Sequence, residues 1–306
     1  MSYNIHSDFK QLEKNSLPLY PLILPVLNKL IARKNNRIPL PDGIHTTKQQ
    51  IVGYENGEIE LTFYKPDGIR DNAPCLIYLH GGAFALQAAP YHINLVCEYA
   101  KQTPCIVVFV DYRLSPKHAF PTGIEDAYCA FKWVVEHAES LGIDQKRIAV
   151  AGDSAGAALA TAVTLMARDR KAPHICFQLL MYPVTDARQK TESIAEYTDT
   201  PMWNAKLNEK MWKLYLKNGV GSKKSYASPI ESDSLADLPD AYVEVAEFDP
   251  LRDEGIHYAE ALQDDGVHVE LNRTSGTVHG YDMVEGSELV RENVAKRISA
   301  LQKTFY

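Results

Sequence analysis

The sequence predicts an α/β fold, a mainly parallel sheet of eight strands with helices on both faces. Three observations carry the prediction. Short, nearly continuous apolar runs such as "APCLIYLH" (73–80) and "CIVVFVDY" (105–112) mark strands buried on both faces. Segments of helical spacing alternate with these runs, as crossover helices between parallel strands do. The chain has 306 residues, 45% hydrophobic and 23% charged, enough for one large core.

The elements follow in order. Residues 1 to about 48 read as one or two short helices interrupted by prolines. "QQIVGYENGEIELTFYKP" (49–66) reads as two strands joined by an Asn56-Gly57 turn. After the runs at 73–80 and 105–112, "GIEDAYCAFKWVVEHAESLG" (123–142) has helical spacing and ends on Gly142 as a C-cap. "RIAVAG" (147–152) and its following helix lead to "CFQLLMYP" (176–183). The rhythm resumes at "AYVEVAEF" (241–248), with the helix "DEGIHYAEALQDDG", the strand "VHVELNRT" and a last helix from about Glu285. Residues 187–237 interrupt it: polar, tryptophan-containing and without a good strand, they read as an insertion over the sheet edge rather than a second domain. A single domain over 1–306 is expected.

The formal net charge is −7 and no lysine or arginine block occurs, which argues against nucleic acid and anionic membranes as partners. Five cysteines, Cys75, Cys97, Cys105, Cys129 and Cys176, are an odd number without a C-x-x-C pair, so neither a disulfide framework nor a cysteine-rich zinc site is expected. "MSYNIHSDFKQLEKN" is too polar for a signal peptide. "LPLYPLILPVLNKLI" (17–31) is too short to span a bilayer and holds three prolines. A soluble cytoplasmic chain without stable membrane association is the expectation.

The chemistry gathers around "GDSAG", residues 152–156. A G-x-S-x-G pentapeptide alone is weak, but here a strand precedes it and a helix follows at once. Such a turn forces Ser154 into a strained backbone that aims its Oγ outward above the sheet. A phosphate-binding loop would need G-x-x-x-x-G-K or G-x-G-x-x-G, and neither is present. A serine hydroxyl needs a base, and the base an orienting group. Sites in such sheets collect at the carboxyl ends of the strands. His279 lies in the glycine-flanked loop "TSGTVHGYD" after the last strand, whereas His257 sits mid-helix and His268 alternates within a strand. Asp249 stands just past the end of "AYVEVAEF"; Asp253, a turn later, reads as a charge at a helix N-terminus. Ser154, His279 and Asp249 are therefore the candidate catalytic residues. The tetrahedral intermediate of acyl transfer also needs N–H donors. In "YLHGGAF" the amides of Gly82 and Ala83, with Gly81 giving the turn its freedom, supply two, and Ala155 a third; His80 reads as structural.

With "HGGAF", "DYRLSPKHAFP", "GDSAG", "EFDPLRDEG" and "VHGY" in that order, the chain from about residue 50 onward resembles the hormone-sensitive-lipase-like family of α/β-hydrolases, in its bacterial acetyl-esterase and carboxylesterase branch. The resemblance implies the α/β-hydrolase fold, the same Ser154, His279 and Asp249, the same oxyanion donors, and a small helical cap built from about 1–48 and 187–237. It implies a small-molecule ester as substrate and short acyl groups; it leaves the oligomeric state open, although relatives often form homodimers through the last strand edge. Ala83 replaces a usual third glycine, Lys117 a commonly acidic residue and Tyr281 a frequent phenylalanine. Arg113 and Asp126 read as scaffold.

The expected reaction is ester hydrolysis through an acyl-enzyme on Ser154, with no metal and no organic cofactor required. Tyr20, Leu24, Phe84, Leu86, Met202, Trp203 and Trp212 are available to line the acyl pocket. No long exposed apolar lid is evident, so activation at a lipid interface is not expected. An amidase, arylformamidase or peptidase on the same fold stays open, because the triad serves amides as well as esters. A non-catalytic small-molecule receptor would be expected to have lost a triad residue, and all three are present.

Overall fold

The structure is a computed structural model that describes residues 3–306; Met1 and Ser2, the start of the expected cap segment, lie outside the described residues. Eight strands form one sheet: β1 (Ile44–Val52), β2 (Glu58–Pro66), β3 (Ala73–Leu79), β4 (Ile106–Asp111), β5 (Ile143–Asp153), β6 (Phe177–Met181), β7 (Ala241–Phe248) and β8 (Val269–Val278). Their spatial order is β1-β2-β4-β3-β5-β6-β7-β8. β2 runs antiparallel to both β1 and β4, and every later pair is parallel. The helices are α1 (Leu24–Asn35), α2 (Pro90–Gln102), α3 (Thr122–Glu136), α4 (Ala138–Leu141), α5 (Ala155–Asp169), α6 (Glu192–Glu196), α7 (Ala205–Tyr215), α8 (Lys224–Ala227), α9 (Arg252–Asp264) and α10 (Glu288–Phe305).

The period of two in a strand explains why the apolar runs are unbroken. In β3, β4 and β5 one set of side chains (Ile77, Leu79, Val108, Val110, Ile148, Val150) packs with Phe131 of α3, Leu159 of α5 and Tyr258 of α9. The intervening set (Leu76, Tyr78, Val107, Phe109, Ala149) packs on the opposite face with Tyr99 of α2 and Ile298 and Phe305 of α10. A strand clad on both sides favours apolar residues at every position, and the buried polar exceptions, Asp153, Gln178 and Glu244, are each hydrogen-bonded. Each fully buried Val, Leu or Ile contributes ~1.5–3 kcal/mol.

Several details differ from the sequence expectation. The β1–β2 connection is not a two-residue turn: Tyr54–Asn56 forms a short 3-10 turn, Glu55 and Asn56 adopt φ of 50° and 58°, and Gly57 is extended. β1 begins at Ile44, inside the segment assigned to the cap. The helix ending on Gly142 is two pieces, α3 and α4, and Gly142 caps the second at φ 73°. Arg113 and Asp126 pair with each other at 2.7 Å, and both hold Tyr54 of the hairpin connection. Residues 187–237 form helices without a strand, yet they do not merely cover the sheet edge. Leu17 N–H donates to Met202 C=O at 3.3 Å and Met202 N–H to Asn15 C=O at 2.8 Å, so this insertion and the N-terminal segment meet by main-chain bonds.

Candidate active site

The pentapeptide sits where β5 ends and α5 begins. Ser154 has φ 53° and ψ −120°, a strained conformation costing ~1–3 kcal/mol. Its surroundings hold it there: its N–H donates to Met181 C=O at 2.8 Å, and its C=O accepts from Ala158 and Val184 N–H. The flanking glycines are a matter of space. A Cβ on Gly156 would lie 1.9 Å from Leu79 O, and one on Gly152 would lie 2.3 Å from Gly156 C. Only bare backbone lets strand and helix approach this closely.

The three residues chosen from sequence converge. Ser154 Oγ lies 2.9 Å from His279 Nε2, and His279 Nδ1 lies 2.7 Å from Asp249 Oδ2. All three are buried, Asp249 completely. Asp249 also accepts the Leu251 N–H at 2.9 Å, which fixes its carboxylate. β8 runs past the predicted strand to Val278, after a register shift against β7, and so delivers His279 directly from a strand end. Tyr182 packs edge-on against the His279 ring at 4.9 Å and donates its O–H to Asp282 at 2.8 Å. Fully buried Arg297 of α10 holds Asp282, Glu244 and Tyr281 in turn, which anchors the loop behind the histidine. His257 and His268 are exposed and take no part.

The loop after β3 is shaped as a donor cradle. Gly82, Ala83 and Phe84 have φ of 117°, 57° and 56°. Among the described residues the N–H groups of Gly82, Ala83 and Ala155 have no acceptor within the protein. Gly81, grouped with the donors by sequence, differs: its N–H is spent on Asp153 Oδ1 at 2.9 Å. Its φ is not positive, so the turn's conformational freedom lies in the next three residues; a Cβ on Gly81 would instead strike Asp153 Oδ2 at 2.2 Å. His80 is fully buried, donates Nδ1–H to Gly81 C=O at 2.6 Å, and stacks on Tyr112 at 4.6 Å. Burial lowers its pKa to about 4, so it is neutral at physiological pH.

Sequence reasoning missed Asp153, which occupies the unspecified position of G-x-S-x-G. Its carboxylate is fully enclosed and accepts from Gly81 N–H, Tyr78 O–H at 2.9 Å, Tyr91 O–H at 3.1 Å and His92 Nε2 at 3.1 Å. Burial alone would raise its pKa; His92, Tyr78 O–H and Gly81 N–H outweigh that and hold it far below the usual carboxylate range. Asp153 thus ties the donor loop to the strand end that carries Ser154. No sequence signal could have found it, since Tyr78, Gly81 and His92 meet only in the fold.

A cavity of about 270 Å³ opens over Ser154 and His279. Its walls are apolar, and Leu27 and Ile31 of α1, Leu86, Met202 and Met283 supply much of them. Of the residues named from sequence, Leu86 and Met202 line it. Tyr20 is exposed, Leu24 borders a separate cavity, and Phe84, Trp203 and Trp212 are core, with Phe84 stacked on Tyr215 at 3.7 Å. Among the described residues no group of three or more His, Cys, Asp or Glu side chains is placed to hold a metal ion, and no helix is long and apolar enough to cross a membrane.

A sheet of this order with a serine, histidine and aspartate at its carboxyl ends is an α/β-hydrolase. A family model described as the alpha/beta hydrolase fold matches residues 76–283, and the chain belongs to this family, in its hormone-sensitive-lipase-like carboxylesterase group. Similar proteins include the esterase LipI of Mycobacterium tuberculosis, 37% identical over 282 residues, covering 85% of this chain and 88% of that one. The ethyl acetate hydrolase of Pseudomonas putida is 35% identical over 233 residues, covering 74% and 72%. Among solved structures, a bacterial heroin esterase superimposes with a TM-score of 0.87 at 34% identity over 95% of both chains. A thermostable esterase from Pseudomonas putida ECU1011 gives a TM-score of 0.91 at 30% identity, covering 100% and 99%.

Proposed function

We propose that this protein is a carboxylesterase that cleaves small, uncharged, short-acyl esters through an acyl-enzyme on Ser154. The observation that carries the reading is the hydrogen-bonded line Ser154–His279–Asp249 at the floor of an apolar cavity. Esterase names among the similar proteins support it. His279 takes the Ser154 proton as Oγ attacks the ester carbonyl. Asp249 fixes the imidazole tautomer and stabilises the imidazolium. The negative oxygen of the tetrahedral intermediate sits among the amides of Gly82, Ala83 and Ala155. The alcohol leaves with the proton from His279, and water repeats the sequence to release the acid.

The residues of about 1–43 and 187–237 act as a cap, since Leu27, Ile31 and Met202 close the cavity from above. Its 270 Å³ falls just below the ~300–1,000 Å³ of ordinary small-molecule sites, which favours short acyl chains. Five unbridged cysteines, three of them buried, support a reducing, cytoplasmic setting. Hydrolysis of p-nitrophenyl esters from acetate to decanoate tests the reading, with Ser154→Ala as control and a matched anilide as the amide arm. The expected result is a maximum at short chains, little anilide turnover, and a loss of ~10⁴-fold or more in the variant. Activity surviving in Ser154→Ala would sink the proposal.

A further inference from the structure

Five of the eight large apolar side chains exposed among the described residues, Tyr20, Leu22, Ile23, Val26 and Leu30, belong to α1 and the turn leading into it. Leu22, Val26 and Leu30 are 95%, 64% and 55% exposed. Their spacing of four sets them in one outward row. The inward side of the helix is already engaged. Leu24 is buried and Leu27 and Ile31 line the catalytic cavity. Asn28 binds Ala85 C=O and Gln87 N–H, and Asn35 binds Ala88 C=O. The outward row is therefore not waiting for more of the helix to dock.

The charge along this segment is one-sided, although Glu58, Glu60 and Asp111 line the cavity on the other flank of Pro21, Pro25 and Asn28. Residues 14–41 contain Lys14, Lys29, Arg33, Lys34 and Arg37 and no acidic residue, although the chain as a whole carries −7. All five cations are exposed, and among the described residues none of them pairs with a carboxylate. From the neighbouring α7, Lys210 lies over the Tyr20 ring at 4.3 Å and Lys206 is exposed, while Lys213 is paired with Glu209 of the same helix. The fold thus gathers positive charge that the net figure hides. An exposed apolar row, absent from the sequence reading, is present on the helix that walls the site.

We propose that this face seats the protein reversibly on anionic lipid surfaces. An apolar row flanked by lysine and arginine enters the boundary between acyl chains and headgroups, while the cations meet the anionic groups. A second copy is a poorer occupant, because two faces of this charge repel each other. The link to catalysis rests on the esterase reading above: the opposite side of the same helix lines the ester-binding cavity, so docking would present that cavity to esters held in the surface.

The test is sedimentation of the full chain with sucrose-loaded vesicles of phosphatidylcholine alone or of equal phosphatidylcholine and phosphatidylglycerol. Binding at least tenfold tighter to the anionic vesicles is expected, weakened by 0.5 M salt. Both Leu22→Ser/Val26→Ser/Leu30→Ser and Lys29→Glu/Arg33→Glu/Arg37→Glu should lose at least tenfold. Both should keep wild-type turnover of p-nitrophenyl acetate without vesicles, which reports intact folding. Equal binding to the two vesicle types, or unchanged binding by both variants, overturns the proposal. So does a dimer in light scattering that the serine variant dissolves, which would name a second copy as the occupant. Ser154→Ala should bind vesicles as wild type does, so an inactive protein that binds, or an active one that does not, separates the two readings.

Discussion

Replacing Asp153 by Asn tests whether a carboxylate beside Ser154 holds the loop after β3, the proposed oxyanion site. The change keeps the volume and removes the charge. Asp153 accepts from four donors, two at each oxygen: Gly81 N–H and Tyr78 O–H at Oδ1, Tyr91 O–H and His92 at Oδ2. Whichever way an asparagine amide turns, its NH₂ faces one pair; the tyrosine hydroxyl of that pair can turn to accept from it, whereas the Gly81 N–H or the His92 ring N–H is left facing a donor. A buried donor left unmatched costs ~1–3 kcal/mol. For 306 residues the unfolding entropy near 60 °C is about 0.6 kcal/mol/K. The melting temperature should therefore fall by ~2–5 °C. Deleting an oxyanion donor outright costs ~10²–10³ in turnover, so a loosened loop should cost ~10–100-fold in kcat. KM should move little, because the cavity walls stay in place. Steady-state kinetics on p-nitrophenyl acetate and thermal unfolding by circular dichroism read both effects. A variant with kcat within twofold of wild type and an unchanged melting temperature would refute the role assigned to Asp153.

Two further predictions follow from neighbouring groups. His80 is neutral in the fold, with a pKa of about 4 set by burial, against about 6.5 when unfolded. Between those values the unfolded chain binds a proton that the folded chain refuses, so stability is present above pH 6.5 and lost as pH falls toward 4. Denaturant unfolding at pH 7.5 and pH 5 should differ by ~2 kcal/mol from this residue, and a His80→Gln variant should lack that share; an identical pH slope in both proteins would contradict it. Asn28→Ala removes the two bonds from α1 to Ala85 and Gln87, just after the proposed oxyanion loop. It should lower kcat severalfold and melting temperature by a few degrees, with ~1 kcal/mol lost per bond. A change in KM alone would assign Asn28 to substrate binding instead.

What the sequence made legible follows from the range of the interactions involved. β3, β4 and β5 were visible because both faces are buried, which leaves an apolar run with no break. Ser154, Asp249 and His279 were visible because each sits at a strand end with glycine or proline within two residues, where local patterns are strong. Asp153 was hidden because its partners Tyr78, Tyr91 and His92 come from other elements. The lining role of Leu27 and Ile31 was hidden too, since α1 is amphipathic only against the far segment 85–88 and the cavity. The basic apolar row on α1 escaped notice because a net charge averages over the whole surface. The β1–β2 connection shows the reverse case, an Asn-Gly pair whose two-residue turn gives way to a longer one that Asp126 and Arg113 grip from outside.

The proposed reaction turns on Ser154 acting as a nucleophile driven by His279. Its most direct test is covalent labelling with a fluorophosphonate, followed by intact mass and peptide mapping. One equivalent of label on Ser154, formed at least a hundredfold more slowly in His279→Ala, is the predicted outcome. Label on another residue, or a folded protein that takes up none, would contradict it.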